Sequence, residues 1–218
     1  MKNDPIHPLR LLSALLVYPD HDLLSQIEMM ETEVDDIPSR EMKKCMDDFL
    51  LYLKTHSPIH LQEGYTAAFD MNPSTTLNLT YHLYGDNEKR ADMLARLQQR
   101  YQDAGYESTT GELPDYLPMM LEFLSVCPES ENTGLIWECL RGLEDVVDRL
   151  QKAAPPYAAL LQPLVPMVAD RIGSDGSPGH EVDSDRQHNC KGEFAARLRR
   201  ASWNSHTRSF SLSFLTYA

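Results

Sequence analysis

The sequence predicts an all-α fold, a single-domain helical bundle followed by a poorly ordered tail. Apolar residues recur at helical spacing in successive stretches up to about residue 172. No stretch before residue 173 alternates apolar and polar residues between hairpin turns, as the strands of a sheet would. With 218 residues and 42% hydrophobic content, the chain is long enough to bury one sizeable core. We therefore predict one helical domain over residues 1–172 and expect no parallel sheet.

Proline residues divide the first third of the chain into helices. Pro19 ends the first helix. Pro38 and Ser39 precede the start of a new helix, and Pro58 ends that helix. The apolar periodicity between these breaks predicts four helices, over about residues 6–17, 21–33, 40–54 and 59–69.

Turn residues and glycines predict the boundaries of the helices that follow. A turn at residues 72–74 leads into a short helix that ends at Gly85, a natural helix stop. Asp86 is expected to cap the next, long helix, and Gly105 to end it. Two more helices are predicted over about residues 135–150 and 157–172, and Pro163 and Pro166 should kink or break the last one.

The composition changes at Gly173. The residues beyond it are rich in Gly, Ser, Asp and Pro, and the stretch from Lys191 to Ala218 is basic and weakly patterned. Such a composition buries too little apolar surface to offset the entropy of ordering. We predict a flexible tail over residues 173–218, and an extension that is in part non-native is the alternative.

The charge balance narrows the choice of partners. The chain has 33 acidic and 20 basic residues and a formal net charge of −13. This charge repels phosphate backbones and anionic lipid surfaces, so we expect no nucleic-acid partner and no direct membrane insertion. A basic peptide or protein is favoured, and an acidic surface that serves only solubility is the alternative.

The four cysteines and the apolar segments indicate the cellular compartment of the protein. The cysteines share no C-x-x-C spacing, which is typical of reduced thiols in a cytoplasm. The apolar run from Leu11 to Tyr18 is short and has no small-residue cleavage site after it, so we interpret it as a core helix. No apolar segment approaches the roughly 20 residues needed to cross a bilayer. We expect a cytoplasmic protein.

The sequence offers no catalytic or metal-ligating constellation. It contains no Glu-x-x-His pair for a di-iron bundle and no Gly-x-Ser-x-Gly nucleophile motif. His56 and His60 have ligand-like spacing, but Pro58 lies between them and interrupts the helical face that they would share. We therefore predict no catalytic residue, no metal site and no enzyme activity.

The most informative stretch runs from Glu112 to Leu124 and opens an apolar helix. Pro114 suits a first helical turn, and Glu112 and Asp115 would lie near the positive end of the helix dipole. Leu117 and Leu121 are expected in the core. The remaining candidates are predicted on an open face that receives a partner peptide: Asp115, Tyr116, Met119 and Glu122.

The methionine content suggests how such a face could bind. The chain has ten methionines, and this side chain adapts to irregular apolar partners. With carboxylates around it, a methionine and aromatic surface could receive a basic amphipathic helix in a groove. Ordinary core filling by the methionines is the alternative.

Several elements, in this order and spacing, resemble a known family. They are Leu15-Leu-Val-Tyr-Pro-Asp20, Tyr65-x-x-x-Phe69-Asp70, Thr75-Thr76-Leu77 with His82 and Gly85, Arg90, and Glu112-Leu-Pro-Asp-Tyr-Leu-Pro118 with Leu121-Glu122-Phe123. Through them the chain resembles the NarJ-type nitrate reductase assembly chaperones, within the wider TorD/DmsD-like group of helical chaperones dedicated to molybdoenzymes.

The resemblance implies a cytoplasmic chaperone that binds the N-terminal segment of a molybdoenzyme catalytic (alpha) subunit. It implies that the apoprotein is held for molybdenum cofactor insertion before membrane attachment, with no cofactor bound stably by the chaperone itself. Cofactor-delivery proteins are further candidate partners. The residues expected to bind the partner peptide are Glu112, Pro114, Asp115, Tyr116, Met119, Glu122, Phe123, Tyr65, Phe69, Asp70 and Arg90.

Departures from the family pattern leave the identity of the client protein undetermined. Met71 and Pro73 stand where arginines are expected, Tyr84 stands in place of a histidine, and so does Tyr116. A chaperone for a related oxyanion oxidoreductase is therefore one alternative. A generic helical adaptor is another. A third is a small metal- or nucleotide-dependent hydrolase that uses the carboxylates around Asp115 and Glu122.

Overall fold

A computed structural model describes residues 7–127, 133–174 and 214–217. Its helices are α1 (Pro8–Leu15), α2 (His21–Ser25), α3 (Ile27–Asp35), α4 (Arg40–Thr55), α5 (Pro58–Tyr65), α6 (Leu79–Tyr84), α7 (Glu88–Asp103), α8 (Leu117–Val126), α9 (Gly134–Cys139), α10 (Leu143–Ala153), α11 (Pro155–Leu161) and α12 (Leu164–Ser174). A π-helical turn (Thr66–Asp70) follows α5, and a 3-10 turn (Leu140–Gly142) joins α9 to α10. Two short strands, β1 (Tyr106–Ser108) and β2 (Leu215–Tyr217), pair with each other. The predicted all-α class is confirmed.

Helices α1 and α8 pack on each other along the centre of the domain. All residues from Leu11 to Val17 are buried, as are all from Leu117 to Leu124. Each buried leucine contributes about 2 kcal/mol of hydrophobic stabilisation. Ser13, the polar residue inside α1, donates from its Oγ to the carbonyl oxygen of Pro118 at 2.7 Å, so its hydroxyl is satisfied. The two helices form the centre of the core.

Other helices pack on one another through amphipathic faces. Helix α4 packs against α3 and α11, and α11 packs against α10. The buried side of α4 follows helical spacing through Met42, Met46, Phe49, Leu50 and Leu53. The predicted helix over residues 40–54 is therefore confirmed, since its periodicity and its flanking proline both hold.

Two predicted helices are divided in the structure, and the one over about residues 135–150 consists of α9, the 3-10 turn and α10. The stretch expected over residues 21–33 is interrupted at Gln26, whose N–H donates to the Leu23 carbonyl oxygen three residues back rather than four. Asp20 caps α2 by accepting from the Leu23 N–H at 2.9 Å. The predicted break in the last helix is confirmed, because α11 ends at Leu161 and α12 begins at Leu164.

The start of α7 differs from the prediction by one residue. Asn87, and not Asp86, is the N-cap, and its Oδ1 accepts from the backbone N–H groups of Lys89 and Arg90 at 2.9 and 3.3 Å. Gly85 ends α6 with a φ of +64°, a conformation that glycine adopts without a steric cost. Because Gly85 is the C-cap of α6, Asn87, two residues later, is placed to be the N-cap of α7.

The π-helical turn after α5 changes the direction of the chain before the 72–76 loop. The N–H of Met71 donates to the Thr66 carbonyl oxygen five residues back at 2.9 Å. Ala68 and Phe69 are buried, whereas Asp70 and Met71 are exposed. Turns of this kind often occur at functional sites.

The small antiparallel sheet was not predicted. Tyr106 pairs with Tyr217, Glu107 with Thr216 and Ser108 with Leu215. Residues 214–217 thus pack against the helical domain, although they belong to the stretch predicted as a flexible tail. The rest of that stretch, 175–213 and 218, lies outside the described residues. No helix among the described residues is long and apolar enough to cross a membrane.

The capping assignment predicts a difference between two neighbouring substitutions. Asn87→Ala should lower the free energy of unfolding by about 1 kcal/mol, because two N–H groups of α7 lose their acceptor. Asp86→Ala, the matched control, should change it by less than about 0.5 kcal/mol. Urea unfolding followed by circular dichroism measures both. Equal losses would contradict the assignment.

A half-buried carboxylate in α3, Glu33, predicts a pH dependence of stability. Glu33 Oε2 is buried and has no hydrogen-bond partner among the described residues. Burial raises the pKa of Glu33 from 4.5 to about 7, although Arg10 lowers it. Because the folded state holds this proton more tightly than the unfolded state, the contribution of Glu33 to the free energy of unfolding should fall as the pH rises from 4.5 to about 7.

Glu33→Gln should remove this contribution, since glutamine stays neutral throughout. Its stability relative to the wild type should therefore increase from acidic to neutral pH. Glu28→Gln, an exposed position in the same helix, is the control and should keep the wild-type slope. Urea unfolding across this pH range measures the slopes. Parallel curves for Glu33→Gln and the wild type would contradict the prediction.

Candidate functional site

The site is built where residues 77–80 cross the residues that precede α8. Asn78 and Tyr116 form an isolated antiparallel bridge. The Leu117 N–H donates to the Leu77 carbonyl oxygen at 2.8 Å, and the Leu79 N–H donates to the Asp115 carbonyl oxygen at 3.1 Å. The start of α6 is therefore fixed to the start of α8.

Asp115 holds this crossing from the inside. Its side chain is completely buried. Oδ1 accepts from Asn78 Nδ2 at 3.0 Å, and Oδ2 accepts from the Thr80 N–H at 3.2 Å and the Thr80 Oγ1 at 2.5 Å. A buried carboxylate is costly unless it is hydrogen-bonded, and this one is bonded through both oxygens.

Arg90 of α7 completes the charge balance. Its guanidinium lies 3.6 Å from Asp115 Oδ2, and its Nε donates to Thr80 Oγ1 at 3.3 Å. The same guanidinium stands over the Tyr81 ring, 5.6 Å from its centroid. The Thr80 hydroxyl thus receives a hydrogen bond from Arg90 and passes one to Asp115. Arg90, which was predicted to bind the partner peptide, forms an ion pair with the buried Asp115.

The 72–76 loop is tied down on its other side. Thr75 Oγ1 is buried and donates to the Ala68 carbonyl oxygen in the π-helical turn. His82 Nε2 lies 2.8 Å from the Thr76 carbonyl oxygen, and its Nδ1 lies 3.4 Å from Arg149 Nη1. These contacts assign the proton to Nε2, so that Nδ1 accepts from the arginine. Burial lowers the pKa of His82, which favours this neutral form.

The position of α8 corrects the expectation for Pro114. Helix α8 begins at Leu117 and carries Pro118 in its first turn. Pro114 lies before the helix, and its carbonyl oxygen accepts from the buried Tyr101 hydroxyl at 2.8 Å. Glu112 also precedes the helix and is exposed. Pro114 is therefore not in the first helical turn, and Glu112 and Asp115 both precede Tyr116, the N-cap of α8.

Two tyrosines meet on the outer side of this crossing. The hydroxyl groups of Tyr65 and Tyr116 are 3.2 Å apart, and the Tyr65 hydroxyl donates to the Leu16 carbonyl oxygen at 3.2 Å. Since Tyr65 has one proton to donate, Tyr116 is the donor between the two hydroxyls. The rings of Tyr18 and Phe69 pack edge to face on Tyr65, at 5.5 and 4.9 Å between centroids.

Carboxylates surround the tyrosine pair. Burial raises the pKa of Tyr116 to about 12, and the negative charges of Glu112 and Asp70 raise it as well. Burial also raises the pKa of Tyr65, with further contributions from Tyr116, Tyr157 and Asp70. Both tyrosines are neutral at physiological pH. Asp70 and Glu112 are exposed, so their negative charges face solvent beside the rings.

Large apolar side chains are exposed next to these carboxylates. Tyr18 is 43% exposed, Met71 is 76% exposed and Leu113 is 43% exposed. Met71 follows Asp70, and Leu113 follows Glu112 and accepts from the Tyr116 N–H at 3.0 Å. We call this surface the tyrosine face; it consists of Tyr18, Tyr65, Asp70, Met71, Glu112, Leu113 and Tyr116.

The structure separates the predicted site residues into two groups. Tyr65, Asp70, Glu112 and Tyr116 come together in the tyrosine face. The predicted open face of α8 is wrong for Asp115, Met119 and Glu122, which are buried; Tyr116 is half-buried, and Leu117 and Leu121 lie in the core as predicted. Phe69, Pro114, Phe123 and Arg90 are buried or half-buried as well.

The physical reason is that several elements cover α8. Helix α1 packs on it, and the rings of Tyr101 and Tyr106 pack on Phe123 at 4.9 and 5.6 Å. Glu122 accepts from the Phe214 N–H at 2.7 Å. Sequence reasoning missed Asn78 and Thr80 as partners of Asp115, although short polar residues before a helix are a recognisable signal. It also missed Phe214, for which no local signal exists.

The remaining sequence candidates for metal binding lie elsewhere. The rings of His56 and His60 stack at 4.9 Å on the exposed surface near the end of α4. Among the residues that the structure describes, no group of three or more histidine, cysteine or carboxylate side chains is placed to hold a metal ion.

The fold and the site define an all-helical protein that presents an acidic, aromatic-rich face beside a buried Asp–Arg pair. The sequence model of one family, described as the nitrate reductase delta subunit, matches residues 35–161. The chain therefore belongs to the nitrate reductase delta subunit family. This match confirms the resemblance inferred from the motifs.

The curated relatives have consistent names. The chain is 30% identical over 154 residues, 71% of its length and 84% of the relative, to the probable nitrate reductase molybdenum cofactor assembly chaperone NarJ of Bacillus subtilis. It is 32% identical over 175 residues, 76% of its length and 71% of the relative, to NarJ of Escherichia coli K12. A further relative in that organism, NarW, is 27% identical over 183 residues, which is 84% of this chain.

The two aspartates of the site should respond differently to the same substitution. Asp115→Asn should lower the free energy of unfolding by about 2–4 kcal/mol, because an amide cannot accept from both Asn78 and Thr80 and leaves Arg90 without its counter-charge. Asp70→Asn, the exposed control, should change it by less than about 0.5 kcal/mol. Chemical unfolding measures both. A small loss at Asp115 would show that the buried network does not stabilise the crossing.

Proposed function

We propose that this chain is a dedicated assembly chaperone for a molybdoenzyme, respiratory nitrate reductase in the first instance. It binds the N-terminal segment of the catalytic subunit and holds the apoprotein in the cytoplasm for molybdenum cofactor insertion, before membrane attachment. The names of the relatives support the chaperone role and the client. Binding of the N-terminal segment and the cytoplasmic location are what the resemblance to the NarJ-type chaperones implies, and the acidic surface is compatible with a basic segment.

The tyrosine face is the observation that carries the proposal. It combines exposed apolar side chains with two carboxylates, and the buried Asp115 network fixes the backbone beneath it. A client helix with apolar anchors and basic residues would match both properties. Tyr18, Met71 and Leu113 would receive the anchors, and Asp70 and Glu112 would attract the positive charges.

The net charge of the chain extends this attraction beyond contact distance. A formal charge of −13 favours the approach of a basic segment and raises its association rate at low ionic strength. Because Asp70 and Glu112 are exposed, salt should screen their contribution. Electrostatics would thus guide the encounter, and apolar burial would retain the client.

Binding alone can perform the chaperone role. A protein that binds the immature subunit lowers the population free to aggregate or to dock early on its membrane partner. Release follows when cofactor insertion removes the conformation that the chaperone prefers. This mechanism requires no cofactor held stably by the chaperone, and cofactor-delivery proteins would act on the complex.

The alternatives receive less support from the site. For hydrolysis, Asp115 would need to reach a substrate or a metal, yet it is completely buried and both its oxygens accept protein hydrogen bonds. A chaperone for a related oxyanion oxidoreductase would use the same face. Met71 and Tyr116, two of the departures from the family pattern, both lie in that face, so they would set the client preference.

A peptide-binding experiment tests the proposal. A synthetic peptide with the N-terminal residues of the co-encoded nitrate reductase catalytic subunit should bind with micromolar or tighter affinity, about −8 kcal/mol or better. Asp70→Asn should weaken binding about threefold to tenfold at low salt and less at high salt, since one screened charge is lost. Titration calorimetry at two ionic strengths measures both effects.

The matched control is Asp47→Asn, which removes the same charge from the exposed surface of α4. It should bind the peptide like the wild type. A peptide of the same composition in scrambled order should not bind. The proposal fails if the natural peptide gives no heat and no competition with the subunit, or if the two aspartate variants behave alike.

A further inference from the structure

We propose that residues 214–217, here called the latch strand, cover part of the client-binding surface and are displaced when the client binds. The chain would thus contain a competitor for its own ligand. This inference rests on the proposed function and adds a regulation of the same site. Its basis is that the latch strand contacts Tyr116 of the tyrosine face and Glu122 of α8.

The backbone of the latch strand is held by a short ladder. Three residue pairs join it to β1, and the Thr109 N–H donates to the Phe214 carbonyl oxygen at 2.8 Å. A two-stranded sheet is marginal without further packing. Such an element opens locally far more readily than the helical core unfolds. Its attachment is therefore suited to exchange.

The side chains of the latch strand supply the packing. Phe214 is 9% exposed, and its ring stands edge to face on Tyr116 at 5.7 Å between centroids. Leu215 is buried as well, whereas Thr216 is exposed. The aromatic ring of Phe214 thus occupies apolar surface next to the tyrosine pair, where a client anchor would bind.

Glu122 binds the latch strand through its backbone. Its Oε2 accepts from the Phe214 N–H at 2.7 Å. A carboxylate that accepts from a peptide N–H recognises an extended backbone and not a particular side chain. Another extended segment could donate to Glu122 in the same way, so the contact favours exchange between the latch strand and a client segment.

Charge favours the client in this exchange. Residues 214–217 are Phe, Leu, Thr and Tyr and carry no charged side chain. They gain nothing from Asp70 and Glu112, whereas a basic client does. The latch strand would therefore exclude weakly bound apolar segments, and a basic client would displace it with an advantage that decreases as salt screens the carboxylates.

Substitutions in the full chain test the latch. Phe214→Ala should bind the client peptide about tenfold more tightly than the wild type, the factor expected if about one molecule in ten is open. Thr216→Ala, an exposed neighbour in the same strand, is the matched control and should bind like the wild type. Circular dichroism should show that both variants keep the wild-type helical signal.

A reversible disulfide tests the effect of holding the latch strand closed. Glu107→Cys and Thr216→Cys together place two thiols on paired, exposed positions of β1 and β2. Oxidation should close the latch and weaken client binding at least about tenfold, because the open form is removed. Reduction should restore it.

The outcomes separate this inference from the proposed function. If no form of the chain binds the client peptide, the proposed function fails. If the wild type, Phe214→Ala and the oxidised double-cysteine variant all bind it with one affinity, the function stands and the latch is overturned. Tighter binding by Phe214→Ala and weaker binding after oxidation would support both.

Discussion

The arrangement of the site depends on one buried carboxylate, Asp115, which must be hydrogen-bonded and charge-paired. Asp115 lies in the interior of a strongly acidic chain, where an unpaired charge would be prohibitive. It is satisfied only if Asn78, Thr80 and Arg90 arrive from two other segments. The requirement fixes how α6, α7 and the start of α8 meet. Apolar packing between α1 and α8 supplies the stability of the domain, and the carboxylate selects one arrangement of its outer loops.

The tyrosine face follows from this arrangement. Tyr116 is the next residue after Asp115, so the bridge that aligns Asp115 with residues 77–80 also aims the Tyr116 ring at Tyr65. A surface that must recognise a partner gains from such a rigid base, because less conformational freedom is lost on binding. Asp115, a carboxylate that the hydrolase alternative would use for catalysis, thus helps to position the Tyr116 ring.

Local patterns in the sequence predict most of the fold, and they predict less of the site. Helix α4 is found where its periodicity and flanking proline place it. The failures in the site share one physical origin, which is contact between residues distant along the chain. Periodicity identifies one apolar stripe on α8, but Met119 and Glu122 are buried by elements that no local signal connects to them. The pairing of β1 with residues 214–217 is of the same kind.

The π-helical turn before the 72–76 loop has a consequence for how the family can vary. Such a turn holds one residue more than the α-helix around it, and a single residue corresponds to about 100° of rotation. A deletion there would convert the turn to regular helix and rotate Asp70 relative to Phe69's buried partners. A shorter turn would therefore point residue 70 in a different direction without any substitution in the tyrosine face itself.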